Sequence, residues 1–258
     1  VVVSPSMFHA EHIKLALDAG KHCFCDKPLD TTVEKCKLAE KAVEAHPDKV
    51  FMLGFMRRFD DSYAEAKRRI DAGDIGKVVL VRSYTQDPRT TIEGTLKFAP
   101  HSGGQYLDMC VHDLDLIRWF TGAEVKRVWA IGGVFEFDLY RELNDADNCC
   151  ATVQLDNGAM GFMFTNRTHG AGCNVETEII GTHGTLRIAN VGAKNLLQIV
   201  DGSGARGVLS GLPQPLASGL YQRDPGVRIL HQRGPQARCH RLRRHQGFSG
   251  GIPLQGIL

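Results

Sequence analysis

The sequence predicts an α/β half built on a parallel sheet, followed by an α+β half in which helices cover one face of an open, mainly antiparallel sheet. Three observations carry this reading. Up to about residue 55, short β-branched or aromatic runs alternate with amphipathic stretches of helical period, the rhythm of a parallel sheet. From residue 125 the strand-like runs follow one another directly, joined by turn signals such as Asp156-Asn157-Gly158 and Thr182-His183-Gly184. Beyond about Ala205 neither period persists. The expected units are residues 1–54, 55–205 and 206–258.

VVV at residues 1–3 reads as a buried strand, because consecutive β-branched residues suit a pleated, enclosed surface. SPS is a turn, and HAEHIKLALDAG is an amphipathic helix stopped by Gly20. KHCFC is a second strand, left through Lys27-Pro28. Residues 31–46 form a helix that Thr32 can cap, with Val33, Cys36, Leu38, Ala39 and Val43 as its core-facing stripe. KVFMLGF is a third strand, DSYAEAKRRIDAG a helix ending at Gly73, and GKVVLVRSY a strand. GGQYLDMCVHDLDLIRWFTG reads as one largely apolar helix. VKRVWAIGGVF, NCCATVQLDNGAMGFMFTN, NVETEIIGTHGTLRIAN and NLLQIVD supply the second sheet.

Composition excludes several classes. No run of 18 or more apolar residues occurs, so a membrane-spanning helix is not expected. The first residues lack the basic and apolar regions of a secretion signal. The eight cysteines form no CxxC pair, which suits free thiols in a reducing compartment, the cytoplasm. The net charge of +2 conceals an asymmetry: residues 206–258 hold eight arginines and one aspartate, with no lysine or glutamate. That stretch also holds nine glycines and five prolines. It reads as a segment without a selected fold, as a frameshift in a GC-rich gene produces, or else as a disordered basic arm. Nucleic-acid binding, which would rest on this arm alone, is not expected.

Several motifs bear on chemistry. GSGARG at 202–207 matches G-x-G-x-x-G, but Gly211, Pro213 and Pro215 block the helix whose N-terminal amides would hold a pyrophosphate. Asp108 and His112, four apart, share a helix face and can act on one bound molecule. His112 would titrate near neutrality and Asp108 would orient it, an acid/base pair. Asp113 and Asp115 point elsewhere, so no metal site is expected. Lys27 leaves a strand at its carboxyl end, where parallel sheets bind ligands. Arg57 and Arg58 leave another; such a pair is usually a solvated edge, although one of them could hold a polar ligand.

VVVSPSMFHAEHIKLALDAGKHCFCDKPLDTT resembles the fourth strand through the E-K-P loop of the Gfo/Idh/MocA oxidoreductases. GFMRRFDDSYAEAKRRIDAGDIGKVV is similar to their inositol 2-dehydrogenase subgroup, and GGQYLDMCVHDLDLIRWF to the family's D-x-x-x-H helix. NVETEIIGTHGTLRI resembles a strand of the family's sheet, and the whole resemblance spans about residues 1–204. It implies a Rossmann half-domain before the open sheet, and an NAD-dependent oxidation of a polyol or sugar, with NADP not excluded. It further implies Lys27, Asp108 and His112 as catalytic residues, and Ser4, Pro5, His9, Asp26 and Lys27 as contacts to the cofactor. Met56, Arg57 and Asp87 fall where the subgroup lines its substrate pocket, and a homo-oligomer, tetramer or dimer, is implied through the open sheet face.

The sequence departs from the family pattern in three places. Asp26 replaces the usual Glu of E-K-P. Cys173 stands where some inositol dehydrogenases carry a pocket tyrosine, which leaves another sugar dehydrogenase open as a reading. The sequence opens at the family's fourth strand without the glycine-rich phosphate loop, so a truncated, inactive or merely oligomerising chain is the third reading.

Overall fold

A computed structural model of the chain describes residues 1–170, 172–189, 196–201 and 204–207. All of the predicted basic arm beyond its first two residues, 208–258, lies outside the described residues. The chain folds as a small parallel α/β piece followed by a mainly antiparallel sheet with helices packed on one face.

In the first piece, β1 (Cys23–Asp26) pairs in parallel with β2 (Phe51–Gly54). Helices α1 (His9–Asp18) and α2 (Val33–Glu44) connect and cover them. VVV is not a buried strand: Val2 alone makes a parallel bridge, to Cys25, while Val1 and Val3 stand in solvent. Thr32 caps α2 as predicted, accepting a hydrogen bond from the Lys35 amide at 3.3 Å. The core stripe of α2 is narrower than predicted. Cys36, Ala39 and Ala42 are buried, whereas Val33 and Leu38 face solvent.

The second piece begins with α3 (Asp61–Asp71) and β3 (Val78–Pro88). Helix α4 (Ile92–Phe98), flanked by two 3-10 turns, occupies a stretch for which the sequence predicted no element. Then come α5 (Val111–Thr121), β4 (Val125–Gly133), the short α6 (Leu139–Glu142), β5 (Asn148–Leu155), β6 (Met160–His169), β7 (Asn174–Gly181), β8 (Thr185–Ala189), β9 (Leu196–Asp201) and β10 (Gly204–Gly207). The sheet order is β10-β9-β8-β7-β3-β6-β5-β4. Among the described pairings in this sheet, β3 with β6 is parallel and the others are antiparallel. Gly204–Gly207, the end of the GSGARG motif, extends the sheet, so strand structure runs slightly past the predicted limit at Ala205.

Strand alternation decides what faces the helices. On β3 the inward row passes from Val81 through Ser83 and Thr85 to Asp87, from apolar to charged along one face. Val81, Ala151, Val153, Met163 and Ile179 pack with Leu116, Ile117 and Phe120 of α5 in the main core. Gly161 lets α5 come close, because a Cβ there would lie 2.7 Å from the Ile117 side chain. Gly122 ends α5 in the left-handed region at φ 61°, the C′ position that glycine suits. Val111, at the other end of α5, packs into the separate core of the α/β piece. The helix thus straddles the two pieces, and its first turn lies at their junction.

Asp60 caps α3 through bonds from the amides of Ser62 (2.9 Å) and Tyr63 (3.3 Å). Asp60→Ala is expected to lower stability by about 1 kcal/mol in urea unfolding. A change under roughly 0.3 kcal/mol would show that the cap contributes nothing.

Candidate active site

Lys27 leaves β1 at the carboxyl end of the parallel strands. Its Nζ donates to the Asp108 backbone carbonyl at 2.6 Å and to Asp108 Oδ1 at 2.9 Å, across 81 residues of sequence. Arg167, on the inward face of β6, donates through Nη2 to Asp108 Oδ2 and through Nη1 to Asp87 Oδ2. Its Nε donates to Gln105 Oε1 at 3.1 Å. Two cations and two carboxylates thus alternate in a chain: Lys27, Asp108, Arg167, Asp87. Burial pushes the Asp108 carboxyl up, but Lys27 and then Arg167 outweigh it and hold the group below its usual range. Asp108 is therefore an anion at neutral pH, and Lys27 keeps an ammonium proton to offer elsewhere.

Asp108 lies in a π-helical turn, Tyr106–Cys110, that runs into α5, rather than in one continuous α-helix as predicted. A π turn carries more than four residues per turn and re-aims the side chains it holds. His112 follows in the first turn of α5. It is buried, its Nδ1 has no hydrogen-bond partner among the described residues, and its ring meets Phe55 edge-on at 6.2 Å. Burial first, then the charges of Lys27 and Arg57, push its pKa well below the ordinary 6.5.

Two expectations for His112 are thereby corrected. It does not titrate near neutrality, because burial beside two cations disfavours the imidazolium. Nor does Asp108 orient it, because Lys27 and Arg167 take both carboxylate oxygens of Asp108; the ring packs edge-on against Phe55 instead. The consequence is a neutral imidazole at pH 7, able to accept a proton. Since the unfolded chain protonates this group at higher pH than the folded one, its contribution to stability is present above about pH 6.5 and is lost as pH falls below it.

The remaining predicted residues divide. Ser4 and Pro5 form the loop beside the Val2 bridge, with Ser4 Oγ 2.8 Å from His12 Nδ1. Asp26 is exposed at the end of β1, and its Oδ1 accepts from the Lys27 amide at 2.9 Å. Met56 is half-buried in the 3-10 turn after β2.

His9 is corrected as a cofactor contact. Its ring nitrogens lie 2.7 Å from the Pro28 carbonyl and 2.8 Å from the Ser4 carbonyl, so it clasps the two loops together from beneath. Arg57 is corrected as a substrate contact: it is 2% exposed. Its guanidinium donates to Asp113 Oδ1 at 2.8 Å and to Ser83 and Thr85. Arg58 is bidentate on the buried Asp115 at 2.7 and 2.8 Å, so neither arginine is a solvated edge. Asp113 and Asp115, set aside in the sequence as pointing away from the site, are the partners that seat these arginines.

The sequence reading missed Arg167 and Gln105. Arg167 did leave a signal, since it follows Met163 and Thr165 on the inward parity of β6, where a charge needs a partner. Among the described residues no group of three or more His, Cys, Asp or Glu side chains is placed to hold a metal ion. The described cysteines are free thiols, and no described helix is long and apolar enough to cross a membrane.

Comparison with known proteins matches two signatures in the same order. Residues 1–55 match an oxidoreductase family with an NAD-binding Rossmann fold, and residues 63–187 match the GFO/IDH/MocA C-terminal domain. The chain belongs to the Gfo/Idh/MocA family. Within this family it is 35% identical to scyllo-inositol 2-dehydrogenase (NAD(+)) of Bacillus subtilis, over 74% of this chain and 55% of that protein. It is 30% identical to myo-inositol 2-dehydrogenase of Thermotoga maritima, over 80% of this chain and 60% of that one. The scyllo-inositol dehydrogenase of Lactobacillus casei, solved with bound NAD(H) and scyllo-inositol, superposes with a TM-score of 0.69 at 43% identity, over 80% of this chain and 61% of that one. The chain thus spans between half and two thirds of the length of these Gfo/Idh/MocA relatives.

Proposed function

We propose that this Gfo/Idh/MocA chain carries the catalytic groups of an NAD-dependent polyol dehydrogenase that oxidises a ring hydroxyl of myo- or scyllo-inositol to a ketone. The observation that carries this is the Lys27–Asp108 ion pair at the carboxyl end of a parallel strand, with Lys27 close enough to the buried His112 for its charge to push that imidazole's pKa down. The residues present fit the nicotinamide end of such a cofactor. The Ser4-Pro5 and Asp26-Lys27 loops stand at adjacent strand ends, and the buried His112 Nδ1 has no partner among the described residues. When bound, a nicotinamide supplies the hydride acceptor.

The protein residues supply the rest. Neutral His112 takes the hydroxyl proton. The remaining ammonium proton of Lys27 bonds the reacting oxygen and stabilises the negative charge that grows on it. Asp108 anchors Lys27 by two acceptors and balances its charge. Asp87, half-buried, with one oxygen free of partners among the described residues, accepts from a neighbouring hydroxyl. Met56 completes the pocket wall. Cys173, exposed at this edge, offers no ring to cover a substrate, which favours assaying other sugars beside inositols.

We further propose a homo-oligomer, dimer or tetramer, through the outer sheet face, where Trp129, Ile131 and Phe135 are exposed. Free thiols favour a cytoplasmic location.

The test is NADH and NADPH fluorescence with the purified 258-residue chain, followed by turnover of myo-inositol, scyllo-inositol and glucose across pH. Saturable binding and inositol turnover are expected. The rate should rise with pH through an acid limb below 6.5, the ordinary His value, and be level by pH 7. Absence of binding by either nucleotide would leave the chain a non-catalytic piece.

A further inference from the structure

We propose that Arg167 is a positioning residue that locks the orientations of Asp108 and Asp87 relative to Lys27, so that two hydroxyls of one polyol meet groups already in register. The proposal rests on the reading above that Lys27, anchored by Asp108, meets the reacting hydroxyl and that Asp87 meets a neighbouring one. All three guanidinium nitrogens are engaged, each by a different residue: Nε by Gln105 Oε1 at 3.1 Å, Nη1 by Asp87 Oδ2 at 2.5 Å, and Nη2 by Asp108 Oδ2. These partners stand on β3 and at the π turn, while Arg167 itself is pinned on β6 by its amide bond to the Asp147 carbonyl at 2.9 Å. Gln105 is in turn held by Asp145, whose carboxylate accepts its amide at 3.0 and 3.1 Å.

With Arg167 only 8% exposed, water has little access to replace it. A planar fork can serve three acceptors at fixed angles; a lysine ammonium is one point charge and cannot span them. Lys27 from the end of β1 and Arg167 from β6 face Asp108, the charge of Asp108 also reaches Tyr140 of α6, and Asp87 of β3 meets the far side of Arg167. Of the two cations among them, Arg167 alone also reaches Asp87.

Charge and geometry separate in two variants, Arg167→Gln and Arg167→Lys. The purified full chain, labelled with 13C at aspartate carboxyls and assigned with Asp108→Asn, reads the ionisation of Asp108 by NMR. Calorimetry with myo-inositol and scyllo-inositol reads the aim of the site. Arg167→Gln is expected to raise the Asp108 midpoint by about one pH unit or more and to weaken polyol binding about tenfold or more. Arg167→Lys is expected to restore the midpoint but not the binding.

Recovery of both readouts by lysine would show that charge alone matters and overturn the positioning role. An unmoved Asp108 midpoint in Arg167→Gln would overturn it as well. If the unaltered chain bound neither inositol while Arg167→Gln still moved the midpoint, the substrate reading would fall and the Arg167–Asp108 coupling would stand.

Discussion

Lys27→Met is expected to lower the turnover number for inositol oxidation about 10²–10³-fold, the loss typical of removing one donor to a developing oxyanion. Methionine keeps most of the length and removes the ammonium, so the loss is chemical rather than steric. Lys27 Nζ has two of its protons on Asp108, which leaves one for the reacting oxygen. KM should move less than the turnover number, because the bond strengthens as charge grows on the oxygen. A second readout follows from electrostatics. Lys27 is one of the charges that depress His112, so its removal should move the acid limb of the rate profile upward, toward the ordinary histidine value. Turnover within about threefold of the unaltered chain, with an unmoved acid limb, would remove Lys27 from the reaction.

Asp113→Ala is expected to cost about 3–5 kcal/mol, read as a lower urea midpoint, because it strands a buried guanidinium. Asp113 is fully buried, and its Oδ1 accepts from Arg57 at 2.8 Å and from Ser83 at 2.5 Å, while Oδ2 accepts from Thr85 at 2.8 Å. Burial works against the Arg57 charge, and Asp113 outweighs it. The double change Arg57→Met with Asp113→Leu should recover much of the loss, since replacing both charges removes both desolvation costs. A single-variant loss below about 1 kcal/mol would mean that water or a rearranged side chain takes over the carboxylate's role. The pair joins the turn after β2 and β3 to α5, so the single variant should also disturb His112, the preceding residue of the helix.

Much of the architecture was legible because it is written in local periods. The alternation in VVLVRSY, the turn at Asp156-Asn157-Gly158 and the Thr32 cap each depend on a few adjacent residues, and each stands where expected. VVV was misread, since a β-branched run becomes a buried strand only if partners lie on both sides; here Val2 makes a single bridge. The π turn was also invisible, because one extra residue in a helix does not break its apolar pattern.

At the site, residue types and the spacing of Asp108 and His112 pointed to acid/base chemistry, and the resemblance attached Lys27 to them. By itself, the sequence determined which residues carry charge, most of the runs that form strands and helices, and that Lys27 leaves a strand at its ligand-binding end. Only the tertiary structure decided who partners whom. It placed Lys27 on Asp108 across 81 residues, sealed Arg57 against Asp113, and brought Arg167 between two carboxylates that the sequence held far apart. The physical reason is that burial makes a charge costly unless an opposite charge meets it, and which charge meets it depends on how the strands and helices pack, not on their spacing along the chain.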